Sequence, residues 1–194
     1  MNRSVTLFTL ACMFAALIAA GAVFSLPLPP PLPPVTLAVF FGILAGLVLG
    51  PWWAGLSVLS YLLLGSLGLP VFANASGGLG HFAGPTGGFL LGYLPLAMVA
   101  GFLADRRKWT FARSLAGGLA GVAALYLVGL PWFRAAMDAR VDGQLSIWSA
   151  LAMMAPYLAG DAVKAVLAAA LVRALKPLLA NRLPAPARPN RRQA

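Results

Sequence analysis

The chain has 194 residues, of which 61% are hydrophobic and only 9% charged, and its mean hydropathy is +0.88. A soluble domain carries about 25% charged residues, so this chain cannot cover its surface in water, and its apolar content equally excludes disorder. The net charge of +10 is not the footprint of a nucleic-acid binder. Arg106, Arg107, Lys108 and Arg113 fill one gap between apolar runs, and Arg182, Arg188, Arg191 and Arg192 gather near the C-terminus. Basic residues at the ends of apolar spans orient a membrane protein, so the composition describes an all-α integral membrane protein.

Residues 5–24 predict a first span. The segment that follows, SLPLPPPLPP, cannot be helical, because each Pro lacks an N–H and clashes with the preceding turn. Residues 35–68 are one apolar stretch, which as a single helix would be about 51 Å long against a hydrocarbon core of about 30 Å. Gly50-Pro51 divides it into spans 35–50 and 52–68, with Trp52 and Trp53 at an interface. Residues 69–88 carry Gly77, Gly78, Gly80, Gly84, Gly87 and Gly88 and are expected to be non-helical. Their apolar character predicts backbone folded against the bundle, as membrane-depth backbone must be. Residues 88–104 form a fourth span, stopped by Asp105-Arg106-Arg107-Lys108. Residues 111–130 form a fifth, with Gly117, Gly118 and Gly121 suited to close packing. A neutral connector covers 131–146, and Pro156 is expected to split the last apolar region into a short helix and a final span, 157–176. Six spans over a single domain, 1–180, place both basic clusters and both termini on the cytoplasmic side, with 181–194 as a basic tail.

Asp161 and Lys164 are the strongest chemical feature, since residues three apart share a helix face and intramembrane charges are costly. They pair with a ligand or with each other; alternatively Asp161 starts a helix and Lys164 snorkels outward. Asn74 can donate and accept toward a polar ring or satisfy turn backbone beside Gly77-Gly78. His81 reads as a loop histidine at the interface. No Ser/His/Asp spacing, metal-ligand cluster or P-loop lysine occurs, so neither an enzyme nor a bound cofactor is expected. In the first span, Ala11, Ala15 and Ala19 recur at helical spacing, with Ala16 and Ala20 on a neighbouring stripe; such faces serve internal packing or a partner helix.

The block from Gly68 to Tyr93, GLPVFANASGGLGHFAGPTGGFLLGY, closely resembles the BioY family, the biotin-binding S components of energy-coupling factor (ECF) transporters. The block from Pro156 to Lys164, PYLAGDAVK, resembles the family's Pro-aromatic-x-Pro-Gly-Asp-x-x-Lys signature, with Ala159 in place of its second Pro. The resemblance covers nearly all of the chain to about residue 176. It implies a six-helix bundle of the S-component type in the bacterial inner membrane, capturing biotin from the extracytoplasmic side as transported substrate. The implied partners are the lipid bilayer, a transmembrane coupling protein and cytoplasmic ATPases. Asp161, Lys164 and Asn74 match the family's binding residues, and Phe72, Phe82 and Tyr93 are candidates for the apolar wall. The Ala11, Ala15 and Ala19 stripe resembles the face that docks on the coupling protein. A different vitamin, or a scaffold without a ligand, is the alternative.

Overall fold

The computed structural model describes residues 3–26, 28, 33–104, 110–138 and 145–182. The cluster Asp105–Lys108, most of the Pro-rich connector, Arg140, Asp142 and the tail beyond 182 lie outside the described residues.

The first helix, α1 (Arg3–Val23), gives way to β1 (Ser25–Leu26), which pairs antiparallel with β2 (Val35–Thr36). The two strands, which flank the Pro-rich segment in the sequence, form a short two-stranded hairpin. The helices α2 (Ala38–Leu49) and α3 (Pro51–Ser66) break where Gly50 adopts φ 82°, a conformation suited to glycine, and Pro51 takes the first helical position. Ten of the twelve α2 residues are buried. This helix, apolar on all sides, runs through the centre of the bundle against α1, α3, α5, α6 and α7.

The 69–88 segment contains more helix than its glycines predict. A 3-10 turn covers Ala73–Ala75, and α4 (Gly80–Ala83) is a single helical turn. It is nonetheless strapped to the bundle. Gly78 N–H donates to Gly65 O at 2.7 Å, and Phe72 is only 1% exposed beneath it. A side chain at Gly65 would overlap the Phe72 ring, so the strap can lie this close only over a glycine.

Three long helices complete the fold: α5 (Gly87–Leu103), α6 (Phe111–Asp138) and α7 (Ile147–Arg182). Two expected boundaries are corrected. Helix α6 continues through Pro131 to Asp138, and α7 is continuous through Pro156 and Pro177. A mid-helix proline costs about 3 kcal/mol, but tertiary packing holds both helices across it. Phe133 and Met137 anchor α6 beyond Pro131, while Ala150 and Met154 before Pro156, and Ala165 after it, are buried in the core. A clasp joins the two helices: Arg134 Nε donates to Leu145 O at 2.8 Å, and Leu145 N–H donates to Asp138.

Among the described residues, α1 and α6 are long and apolar enough to cross a membrane, with α2 and α5 as shorter apolar helices. The six expected spans are thus not matched one for one. At twelve residues α2 is about 18 Å long, well short of a hydrocarbon core. The alanine stripe also faces the other way from a docking surface. Ala11 and Ala15 are 2% and 6% exposed, and Ala19 packs on the core. Cys12, Ala16 and Ala20, one turn apart on α1, remain exposed, because α1 leans its Ala11 and Ala15 side onto α2 and α3.

Candidate functional site

A cavity of about 330 Å³ lies at one end of the bundle. Its wall takes Ala22 from the C-terminal end of α1, Val39 from the start of α2, Tyr61 from α3, Tyr93 from α5, Tyr126 from α6 and Asp161 from α7. The helices alternate in direction, so their successive ends converge on one space. The hairpin, through Pro33 to Thr36, and strap residues from Phe72 to Thr86 partly cover it.

The deep polar group is built by α6 and α7. Lys164 Nζ donates to Asp161 Oδ1 at 2.7 Å, and the Tyr126 hydroxyl donates to Asp161 Oδ2 at 3.0 Å. Asp161 is 5% exposed. A carboxylate buried this far is tolerable only when paired and hydrogen-bonded, and both oxygens are held here. The i,i+3 spacing brings Lys164 back over Asp161, so its ammonium does not snorkel. Carboxylate oxygens have about four acceptor sites between them, so two bonds leave acceptor capacity toward the cavity.

The walls are aromatic. All four tyrosines of the chain, Tyr61, Tyr93, Tyr126 and Tyr157, line the cavity. Phe72 packs edge-to-face on Tyr61 at 5.5 Å, and Phe89 on Tyr126 at 5.6 Å. The cover is tied down by side chains. The Tyr157 hydroxyl donates to Pro33 O at 2.5 Å, and the Thr36 and Tyr93 hydroxyls lie 3.5 Å apart. Ser25 joins the hairpin to the strap, its hydroxyl donating to Asn74 Oδ1 at 2.9 Å and accepting the Asn74 N–H at 3.0 Å. Asn74 stands at φ 58°, ψ 34°, a left-handed conformation that Asn tolerates. Trp132 Nε1 donates to Gly84 O at 3.1 Å, fixing the far end of the strap to α6.

Of the residues singled out in the sequence, Asp161, Lys164, Asn74, Phe72 and Tyr93 share this one cavity. Phe82 does not line it; its ring sits behind Phe72 at 5.9 Å. Asn74 spends its side-chain oxygen on Ser25, so part of its work is to hold the strap. The sequence reading missed Tyr61, Tyr126, Tyr157 and Thr36 as lining residues, and His81, expected as a loop histidine at the interface, also lines the cavity. The tyrosines were the available signal: a buried Tyr hydroxyl needs a partner.

The BioY family profile matches residues 1–181. A biotin transporter BioY of Rhodobacter capsulatus is 41% identical over 182 residues, covering 90% of this chain and 94% of that protein. One of Thermotoga maritima is 48% identical over 118 residues, covering 61% and 68%. The crystal structure of an S-component for biotin from an ECF-type ABC transporter superposes with a TM-score of 0.80 at 27% identity, covering 91% of this chain and 93% of that one. On its sequence and its helical architecture alike, the chain belongs to the BioY family.

Proposed function

We propose that this chain is a biotin-binding transport subunit, an S component rather than an enzyme. The observation that carries the reading is the buried Asp161–Lys164–Tyr126 group at the bottom of an aromatic cavity. Ligand pockets of roughly 300–1,000 Å³, mostly apolar with a few placed polar groups, suit a small organic ligand. A ureido ring offers two N–H donors and one carbonyl acceptor. Asp161 has acceptor capacity left for the donors and Lys164 donates to the carbonyl, while Asn74 lines the strap end of the cavity. Because the Lys164 charge is matched by Asp161, the deep end is electrically balanced and suits the neutral ring. The thioether ring then lies among Phe72, Tyr61 and Tyr93, and the valerate chain leads toward the strap. The relatives named biotin transporters support the same ligand.

Residues 1–180 act as one membrane unit with six crossings, α4 lying outside the count, and the basic residues after them lie on the cytoplasmic side. Trp52 packs on Phe102 at one end of the bundle, and Trp132 and Trp148 are exposed at the other, as in interfacial aromatic belts. With the N-terminus cytoplasmic in a bacterial inner membrane, the cavity at the C-terminal end of α1 opens to the outside, and exposed Arg173 and Lys176 near the end of α7 lie inside. The purified chain in detergent is expected to bind labelled biotin, displaced by unlabelled biotin and by no other vitamin. Displacement by a different vitamin transfers the reading to that ligand, and no binding of any vitamin leaves a scaffold.

Energy comes from an ECF module, a transmembrane coupling protein with cytoplasmic ATPases. The docking face on α1 is the exposed Cys12, Ala16 and Ala20 stripe, where small residues allow a partner helix to approach closely. Ala16→Trp is expected to stop copurification of the coupling protein while biotin binding by the isolated chain persists. Ala15→Trp instead overpacks the core and costs about 1–3 kcal/mol of stability. A complex that survives Ala16→Trp places the docking surface elsewhere.

A further inference from the structure

His81 stands in the cavity wall, carried by α4 in the strap rather than by any of the long helices. Its ring is set edge-on to Phe72 at 5.5 Å with an interplanar angle of 69°. Phe72 is itself buried and wedged between Tyr61 and Phe82. The imidazole therefore has a fixed aromatic surface beside it in the cavity wall.

The polar side chains around it are largely committed. The Ser76 hydroxyl donates to Ala73 O at 2.6 Å, and Asn74 Oδ1 accepts from Ser25. No described residue bonds to the ring nitrogens of His81. Thr86 supplies a hydroxyl to the same wall, but a hydroxyl rotates freely, whereas the imidazole is held edge-on against Phe72. Lys164 is the only Lys or Arg among the described lining residues, and its charge is held by Asp161 at the deep end. A ligand with a carboxylate thus finds no free cation in the described wall, and its anionic end is met by a neutral donor or by an imidazole.

We propose that His81 reads the charged end of the ligand, donating an imidazole N–H to a carboxylate held at the strap end of the cavity. This deepens the biotin reading above and rests on it. The depth order supports it. Gly92 of α5 faces Leu125, which places Tyr126 level with the second turn of α5, below the strap. Asp161 and Tyr126 are buried, His81 is half-buried and Asn74 is exposed. A ring bound at Asp161 therefore directs its side chain past Phe72 toward His81. His81 acts as a specificity residue, separating an acid from its neutral ester.

The test uses the purified full chain in detergent, titrated with biotin and with biotin methyl ester. His81→Phe keeps the edge contact with Phe72 and removes the N–H, and His81→Gln restores a donor. Wild type is expected to prefer biotin to its ester, and His81→Phe to weaken biotin by about tenfold while leaving the ester unchanged, the loss of one hydrogen bond to a charged group. His81→Gln recovers most of the biotin affinity. Unchanged biotin affinity in His81→Phe, or an equal loss for biotin and ester, overturns the role of His81 and leaves the biotin site standing. A wild-type chain that binds neither ligand overturns the biotin reading itself, and this inference with it.

Discussion

Asp161→Asn is expected to weaken biotin binding by at least about a hundredfold, because it removes an acceptor at the bottom of the cavity and leaves Lys164 without its counter-charge. The same substitution lowers stability, since stranding one member of a buried pair costs about 3–5 kcal/mol. Two effects from one substitution are separated by a second variant. Asp161→Asn combined with Lys164→Met removes the stranded charge, so thermal stability in detergent recovers while biotin binding does not. Calorimetric titration and thermal unfolding of both variants make the check. Near-normal biotin affinity in the single variant would reduce Asp161 to a structural anchor, holding Tyr126 of α6 and Lys164 on its own helix.

Gly121→Leu is expected to lower the unfolding temperature and to damage the cavity as well. A Cβ at Gly121 would stand 2.6 Å from the Leu96 carbonyl oxygen and 3.3 Å from the Ala100 Cβ, so α5 and α6 meet there almost backbone to backbone. Overpacking a close contact costs about 1–3 kcal/mol, and more when backbone must move. Separating α5 from α6 also separates Phe89 and Tyr93 from Leu125 and Tyr126, which line the cavity on those two helices. Gly160→Ala is the control. Nothing lies within 4 Å of the Cβ it would add, and alanine for glycine within a helix gains about 0.5–1 kcal/mol. A Gly121→Leu protein as stable as wild type would show that the two helices slide apart without cost.

Much of the candidate site was legible because its strongest members are chemically out of place. Asp161 and Lys164 are ionisable groups in an apolar run, and their helical spacing alone brings them onto one face. The Gly50-Pro51 break was legible for a local reason: a glycine conformation and a proline start are properties of two adjacent residues. Pro131 and Pro156 were misread because helix continuity there depends on what packs beyond the proline. Phe133, Met137, Ala150 and Met154 are buried by other helices, and nothing in their own segments announces it.

The alanines of α1 show the same division. Spacing puts Ala11, Ala15 and Ala19 on one stripe and Ala16 and Ala20 on the next, but only the docking of α1 against α2 and α3 decides which stripe is buried. The tyrosines differ in kind. Near the ends of apolar spans a Tyr belongs equally to an interfacial belt or to a binding wall, and the convergence of α3, α5, α6 and α7 puts all four around one cavity. His81 needed the strap to fold over the bundle before its ring had anything to face. Composition, charge placement and helical period by themselves determined the membrane class and the Asp161–Lys164 pair, because these follow from a residue's own chemistry and its near neighbours. The cavity, its cover and the exposed face of α1 were decided only by tertiary structure, because each arises where segments distant in sequence meet, and a residue's period fixes its face but not what that face touches.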